Sequence, residues 1–219
     1  MDDIKKVPAP WTLEGKGYIL LYRFSKEEIS KNTFLSDKFK GHFAGGFGSV
    51  MLVDYESSDA GPYSELLFIP GRFKMGRWKK HNIPKIYVSS MESVVNGREN
   101  WAIPKEQADF QFSNIDKACQ DVRITKNNDC FFKARIRAKG IPFPVSTLFL
   151  PFPLMQEQDN KIYFTKFSGK GWGRFASVQS LEINAGYFPD LSAKKPLLAI
   201  KVSPFKICFP KAEIIQGSL

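Results

Sequence analysis

Side chains that bind metals are rare in this sequence. The 219 residues include 2 histidines and 3 cysteines, and neither His42 nor His81 lies near a pair of cysteines. Zinc sites need several such side chains at short, regular spacings. We therefore expect no metal site.

The pattern of a disulfide framework is missing too. Cys119, Cys130 and Cys208 are odd in number and have no paired spacing, which predicts free thiols. The N-terminal residues Met-Asp-Asp-Ile-Lys-Lys contain no apolar stretch of the kind that a secretory signal requires. These features predict a reduced, cytoplasmic protein.

Long apolar segments and cofactor-binding loops are also lacking. The longest apolar run, residues 141–155, is interrupted by prolines and is shorter than the ~20 residues that span a membrane, so we expect a soluble protein with no membrane partner. Residues 41–48 are rich in glycine, but residues 50–55 after them resemble a strand, whereas a phosphate-binding loop precedes a helix. We interpret this loop as a flexible connection and expect no cofactor.

The charge is strongly positive but dispersed. The formal net charge is +10, yet no long basic run stands out, so we expect no nucleic-acid partner. The densest cluster, residues 72–80, mixes cations with aromatic residues, and we interpret it as an exposed loop between two strands. A second interpretation is that the positive field steers an anionic small molecule toward the protein.

What the sequence does contain favours β-structure. The chain is 43% hydrophobic and has 20 phenylalanines, and aromatic residues are enriched in strands. Strand-like segments lie at residues 50–55, 65–69, 85–90, 108–113, 131–138, 147–152, 161–167, 175–183 and 197–209. Many short strands between turn signals predict a mainly β fold, a closed or nearly closed antiparallel barrel. No linker or repeat divides residues 1–219, so we expect one domain. A capping box at Ser25 and Glu28 predicts a short helix that ends near Thr33.

One lysine is a candidate nucleophile. Lys105 follows a proline and lies among apolar and aromatic neighbours. A lysine amine attacks a ketone, forming a Schiff base, only in its neutral form. Burial away from water favours that form, whereas a solvated surface position is the common alternative for a lysine.

The segment around this lysine resembles a known motif. Gly97-Arg98-Glu99 followed by Pro104-Lys105 is similar to the lysine motif of the acetoacetate decarboxylase family. The resemblance extends to three other segments: Gly61-Pro62-Tyr63-Ser64-Glu65, which looks like the family's Gly-x-Tyr-x-Glu; residues 18–23, its first strand; and residues 209–215, its closing strand. It covers most of the chain and is weakest over residues 116–195.

The resemblance implies a fold and a chemistry. The fold would be a β-barrel or cone with an appended meander sheet and a few short helices, and the protein would form a homo-oligomer. Lys105 would form a Schiff base with a small β-keto acid such as acetoacetate, which then loses carbon dioxide. Glu65 would be the acid–base group, with Tyr63 in the substrate pocket or supporting it. The two groups must reach one substrate, so Glu65 and Lys105 should lie within roughly 4–8 Å of each other.

Three residues near Lys105 in the sequence are expected to support it. Arg98 and Glu99 would form a buried pair that holds the lysine segment, with binding of a substrate carboxylate as the alternative for Arg98. Glu106 stands where the classical decarboxylase has a second lysine. Since adjacent residues of an extended segment face opposite ways, we expect the Glu106 carboxylate to point away from the cavity and to pair with a basic group.

A second departure leaves the reaction open. The family's substrate-positioning arginine is not matched, because Gly15 or Lys16 falls at its place. A decarboxylase of a small β-keto acid is the favoured hypothesis. The alternatives are a lysine-dependent aldolase-dehydratase acting on keto acids such as pyruvate, and a non-catalytic barrel that carries a small apolar ligand.

Overall fold

The computed structural model describes residues 4–149 and 151–216. In chain order the first elements are β1 (Trp11–Arg23), α1 (Lys26–Ser30), a 3₁₀ helix (Asp37–Phe39), β2 (Phe47–Ser58), β3 (Tyr63–Ile69), β4 (Arg72–Met75), β5 (Trp78–His81), β6 (Lys85–Val88), α2 (Met91–Trp101) and β7 (Lys105–Gln107). They are followed by β8 (Asp109–Asn114), β9 (Cys119–Lys126), β10 (Asp129–Ser146), β11 (Leu154–Gln158), β12 (Lys161–Thr165), β13 (Ser168–Ile183), β14 (Leu198–Phe209) and β15 (Glu213–Gln216).

The strands form two sheets. The larger has the order β7-β6-β3-β2-β1-β14-β13-β10-β9-β8, and the smaller has the order β15-β12-β11-β5-β4. The two edges of the larger sheet, β7 and β8, are separated in the chain by Ala108 alone, whose N–H donates to the carbonyl of Val88 on β6 (3.0 Å). A sheet whose edges are joined in this way must curl, which confirms the predicted nearly closed barrel.

Strand β1 bends at the centre of the larger sheet. Its register shifts against β2 between Glu14 and Gly15 and against β14 between Gly15 and Gly17. A Cβ on Gly15 would lie 2.2 Å from the backbone oxygen of Asp54, so glycine is what allows the neighbouring strand to approach. Irregularities of this kind increase the local twist of a sheet and help it to close.

The larger sheet is apolar on both faces. Along β3, Leu66 and Phe68 belong to one core, whereas Leu67 and Ile69 belong to a second core that we call the site-side core. Side chains alternate between faces along a strand. The face that holds Leu67 therefore also holds Glu65, and this face packs against α2 and the smaller sheet.

One predicted strand is wrong. Residues 147–149 form a turn, in which the N–H of Phe149 donates to the carbonyl of Ser146 (3.1 Å), and residues 151–153 have no regular structure. Leu150 of the same segment lies outside the described residues. Pro151 and Pro153 have no N–H to give to a ladder, and the strand predicted at residues 131–138 instead continues as β10 to Ser146.

The basic cluster at residues 72–80 is also more ordered than predicted. It forms the antiparallel hairpin β4–β5, with Gly76 at the turn in the left-handed region (φ 55°). Glycine adopts this conformation without the strain that a Cβ would cause. The segment therefore belongs to the smaller sheet and is not an exposed loop.

The helices differ from prediction in extent. The capping box at Ser25 is present, but α1 ends at Ser30. Helix α2 is not predicted at all, although Ser90 caps it by accepting from the N–H of Ser93 (3.1 Å). Its β-branched Val94 and Val95 have low helix propensity and obscure it. Among the described residues, no helix combines the length and apolar character needed to cross a membrane.

A buried glutamine connects the two sheets. Gln156 on β11 is 2% exposed. Its Oε1 accepts from the backbone N–H of Ile83, and its Nε2 donates to the Ile83 carbonyl, both at 3.0 Å. The same oxygen accepts from the side chain of Asn82. Gln156 thus satisfies the backbone of the segment between β5 and β6.

We expect Gln156→Leu to lower the free energy of unfolding markedly. The change leaves the N–H and C=O of Ile83 buried without partners, at about 1–3 kcal/mol for each group. Urea unfolding measures the loss. Gln158→Leu, at an exposed position on the same strand, is the matched control and should stay within about 0.5 kcal/mol of the parent. Equal effects of the two substitutions would contradict a connecting role for Gln156.

Candidate active site

The main chain around Lys105 is fixed by three neighbouring elements. Helix α2 ends at Trp101, its C-cap residue Ala102 adopts the left-handed conformation (φ 53°), and the chain then turns into β7. There Lys105 pairs in parallel with Ile86 of β6. The Nε of Arg98 donates to the Lys105 carbonyl (2.9 Å). The lysine therefore starts an edge strand that α2 and β6 hold in place.

The Lys105 side chain runs across α2 at Gly97. A Cβ on Gly97 would lie 2.6 Å from Cδ and 2.8 Å from Cε of Lys105. Any larger residue would displace the lysine side chain. This gives a physical reason for the glycine of the Gly-Arg-Glu motif.

The Lys105 amine is buried and has three polar neighbours. The residue is 3% exposed. Its Nζ lies 3.1 Å from Oε2 of Glu65 and donates to Oγ of Ser93 (2.9 Å) and to the hydroxyl of Tyr63 (3.4 Å). The amine also lies 4.9 Å from the centroid of the Tyr63 ring. Lys105 and Glu65 thus meet directly, at a shorter distance than the sequence predicts.

Glu65 is held from its other side by a second tyrosine. Its Oε1 accepts from the hydroxyl of Tyr55 (3.2 Å), and the rings of Tyr55 and Tyr63 lie 4.7 Å apart. Burial, with the negative charge of Glu65 as the second cause, raises the pKa of both tyrosines well above the usual value. Both phenols therefore stay neutral and can donate hydrogen bonds at any ordinary pH.

Two cavities meet at Glu65. A small one of about 30 Å³ is lined by Lys105, Glu65 and Tyr63, among others, and is large enough for a water molecule. A large one of about 350 Å³ lies along the same face of the larger sheet, against the site-side core. Both are lined by Tyr55, Glu65, Leu67, Ile83 and Phe209. The amine thus lies just behind the inner wall of the larger cavity.

The structure places Arg98 and Glu99 differently from the prediction. Both are exposed, and the Glu99 carboxylate lies 3.8 Å from Nζ of Lys6. The predicted buried pair is therefore wrong. Since these residues are adjacent on α2, their side chains point in different directions around the helix. Arg98 still contacts the lysine segment, through the Lys105 carbonyl.

Glu106 lies on the opposite face of the sheet from Lys105. Its carboxylate lies 2.5 Å from Nζ of Lys85 and also contacts Nζ of Lys126. Burial opposes the charged form of Glu106, but the hydrogen bonds from the two lysines outweigh it and lower its pKa below the usual 4.5. The carboxylate thus points away from the cavity and is paired, as strand alternation predicts.

No arginine replaces the family's substrate-positioning residue within the described part of the cavity walls. Gly15 lies at the bend of β1. The amine of Lys16 pairs with Glu56 (2.9 Å) and Asp54 (3.6 Å) and is partly exposed. Nor do the described residues contain a group of three or more histidine, cysteine or acidic side chains that could hold a metal ion.

Sequence reasoning missed Tyr55 and Ser93. Tyr55 pairs directly with Tyr63 across the β2–β3 hairpin, so the register of that hairpin could have indicated it. Ser93 precedes Gly97 by four residues and shares its helix face. It could be found only once α2 was recognised.

We expect Gly97→Ala to destabilise the protein, although alanine is the better helix former by about 1 kcal/mol. The added Cβ pushes the lysine chain away from Glu65 and weakens a buried ion pair. The test is urea unfolding of Gly97→Ala alone and in the Lys105→Ala background. Without the long side chain the clash is absent, and the same substitution should become stabilising. Destabilisation of equal size in both backgrounds would show that the clash with Lys105 is not the cause.

A pH-dependent effect is expected for Glu106→Gln. The folded-state pKa of Glu106 is lowered, so its pairing stabilises the protein above the unfolded-state value, and this contribution is lost as the pH falls through the folded-state value. The variant should be less stable than the parent at pH 7, and the difference should shrink below about pH 4.5. Urea unfolding at several pH values measures it. A difference that is independent of pH would contradict the ionic origin.

Comparison with known proteins shows the fold. Neither a protein-family model nor a curated protein matches the sequence. An acetoacetate decarboxylase from Legionella pneumophila subsp. pneumophila str. Philadelphia 1 superimposes with a TM-score of 0.70 at 12% identity, over 98% of this chain and 92% of that one.

Two other solved structures are similar. The enduracididine biosynthesis enzyme MppR, complexed with pyruvate, superimposes with a TM-score of 0.64 at 13% identity, over 95% of this chain and 91% of that one. An acetoacetate decarboxylase-like enzyme from Sphingomonas wittichii RW1 gives a TM-score of 0.64 at 10% identity, over 96% and 94% of the two chains. The chain thus has the acetoacetate decarboxylase-like fold, as its motifs predict.

Proposed function

We propose that this protein is a Schiff-base-forming lyase that decarboxylates a β-keto acid. The observation that supports this most is the buried Lys105 amine, 3.1 Å from the buried carboxylate of Glu65, at the inner wall of an apolar cavity. A nucleophile, a proton acceptor and an apolar substrate cavity are the three parts that such a reaction needs.

The first step is condensation of the amine with the ketone. Glu65 takes a proton from the ammonium group of Lys105, since the two atoms are in direct contact. The neutral Nζ adds to the carbonyl carbon, the C–O bond breaks and its oxygen leaves as water, which gives an iminium ion. Ser93 and Tyr63 contact the same amine and position it for attack.

The second step releases carbon dioxide. The bond between the carboxylate carbon and the adjacent carbon breaks, and its electron pair moves toward the iminium nitrogen to form an enamine. The departing water carries away the proton that Glu65 took in the first step, so Glu65 takes a second proton from solvent and gives it to the enamine carbon. Addition of water to the resulting iminium releases a methyl ketone and regenerates Lys105. Tyr55, which donates to the other Glu65 oxygen, keeps the carboxyl group in place.

A lysine-dependent aldolase-dehydratase is the second candidate. The fold is shared with MppR, whose structure holds pyruvate, a keto acid. The same amine and carboxylate could form an enamine from pyruvate by proton removal, without loss of carbon dioxide. The two reactions therefore differ in their products and not in the first covalent bond.

We expect borohydride to trap a keto substrate on Lys105. Reduction of the protein with acetoacetate, and separately with pyruvate, should add the reduced ligand to the peptide that contains Lys105, as read by mass spectrometry. Lys105→Ala should abolish the adduct. Lys126→Ala removes a lysine from the other face of the sheet and should retain it. Absence of an adduct with either ligand would favour the third hypothesis, a barrel that only carries an apolar ligand.

The product of the same reaction separates the two enzymes. Carbon dioxide released from acetoacetate by the parent, and lost in Lys105→Ala, supports the decarboxylase. An adduct with pyruvate, condensation with an added aldehyde and no carbon dioxide would instead support the aldolase-dehydratase.

A further inference from the structure

The larger cavity is almost wholly apolar. Its volume of about 350 Å³ is at the lower end of the range of about 300–1,000 Å³ that is typical of sites for drug-sized ligands. Aliphatic and aromatic side chains from β1, β2, β3, β10 and β14 line most of it, among them Ile19, Met51, Val53, Ile200 and Phe205. A four-carbon acid such as acetoacetate offers one methyl group to this surface.

The cavity has an inner end and a mouth. Its inner end is the wall at Glu65, behind which the Lys105 amine lies. Two exposed residues also line the larger cavity and mark its mouth. They are Phe149, in the turn after β10, which is 84% exposed, and Lys170. A ligand whose carbonyl reaches Lys105 therefore has the whole apolar cavity between that carbonyl and solvent.

Charge along this path is sparse. Of the described residues that line the larger cavity, Glu65 and Lys170 alone are charged; Glu65 is buried at the inner end, whereas Lys170 is exposed at the mouth. An ionic group between these ends would lose its hydration without a partner. The cavity wall therefore favours a ligand whose alkyl chain carries no charge. The affinity for such a ligand comes from the apolar surface that is buried on binding.

We propose that the substrate is a 3-oxo acid with an extended alkyl chain, and that this chain fills the larger cavity while the ketone condenses with Lys105. The inference rests on the proposed function and names its substrate class. The carbonyl oxygen leaves as water and carbon dioxide leaves from the carboxylate end. The product is a methyl ketone with the same alkyl chain.

The test compares chains of increasing length. The probes are methyl ketones from acetone to 2-nonanone, which form the Schiff base without losing carbon dioxide. The concentration that half-saturates borohydride labelling of Lys105 should fall about fourfold for each methylene that becomes buried, until the chain reaches the mouth. In parallel, kcat/KM for carbon dioxide release should rise from 3-oxobutanoate to 3-oxodecanoate.

Two substitutions in the cavity wall should move this dependence in opposite directions. Met51→Phe reduces the space in the cavity, so the half-saturating concentration should stop falling at a shorter ketone. Ile19→Ala enlarges the space, so this concentration should keep falling to a longer ketone. Neither residue lines the small cavity beside Lys105. Met91→Phe makes the same change at an exposed position at the start of α2, and this control should keep the parent's dependence.

The outcomes separate the two proposals. If acetone labels Lys105 and longer ketones label it no better, the extended chain is overturned and Schiff-base chemistry stands. If no ketone labels Lys105, the proposed function is overturned and the substrate class with it. The half-saturating concentration could also fall with chain length by the same amount in the parent, Met51→Phe and Ile19→Ala. The alkyl chain would then lie outside this cavity, which also overturns the inference.

Discussion

The contact between Lys105 and Glu65 is the constraint on which the rest of the site depends. Two opposite charges lie 3.1 Å apart in an apolar interior. Removal of one partner from such a pair typically costs about 3–5 kcal/mol, whereas replacement of both by apolar residues is often neutral or even stabilising. A buried ion pair of this kind therefore adds little to the stability of the folded protein. The proposed function gives the pair another role, as an amine and a proton acceptor held in contact.

The fold brings the two groups together through simple geometry. Alternation along β3 places Tyr63, Glu65 and Leu67 on one face, and β6 separates β3 from the edge strand β7. The side chain of Lys105 reaches Glu65 because Gly97 leaves room for it across α2. The same alternation sends Glu106 to the other face, where Lys85 and Lys126 neutralise it. The site thus contains one cation, one anion and neutral tyrosines.

The sequence predicts the proximity of Glu65 and Lys105 better than it predicts the elements around them. The motifs identify Glu65 and Lys105, and the strand periodicity and capping box identify the barrel and α1, because these signals are local. Helix α2 is missed because Val94 and Val95 mask it, and Ser93 is missed with it. The strand predicted at residues 147–152 does not form, although the segment is apolar, because Pro151 and Pro153 have no N–H to give to a ladder. The buried pair predicted for Arg98 and Glu99 is wrong because it depends on the side of helix α2 on which each residue lies. Adjacency in sequence does not show this.

The balance of charges in the site bears on how it recognises a ligand. A site that binds a substrate carboxylate strongly would offer an unpaired cation, but the buried amine already has Glu65 as its partner and the described cavity walls contain no arginine. The carboxylate of a keto acid therefore gains little from direct ionic binding here. In the proposed reaction, the positive charge of the iminium attracts the departing electron pair, and apolar surroundings favour loss of a neutral molecule over retention of a buried anion. Under this proposal, covalent attachment and apolar contact, more than ion pairing, determine which ketones react.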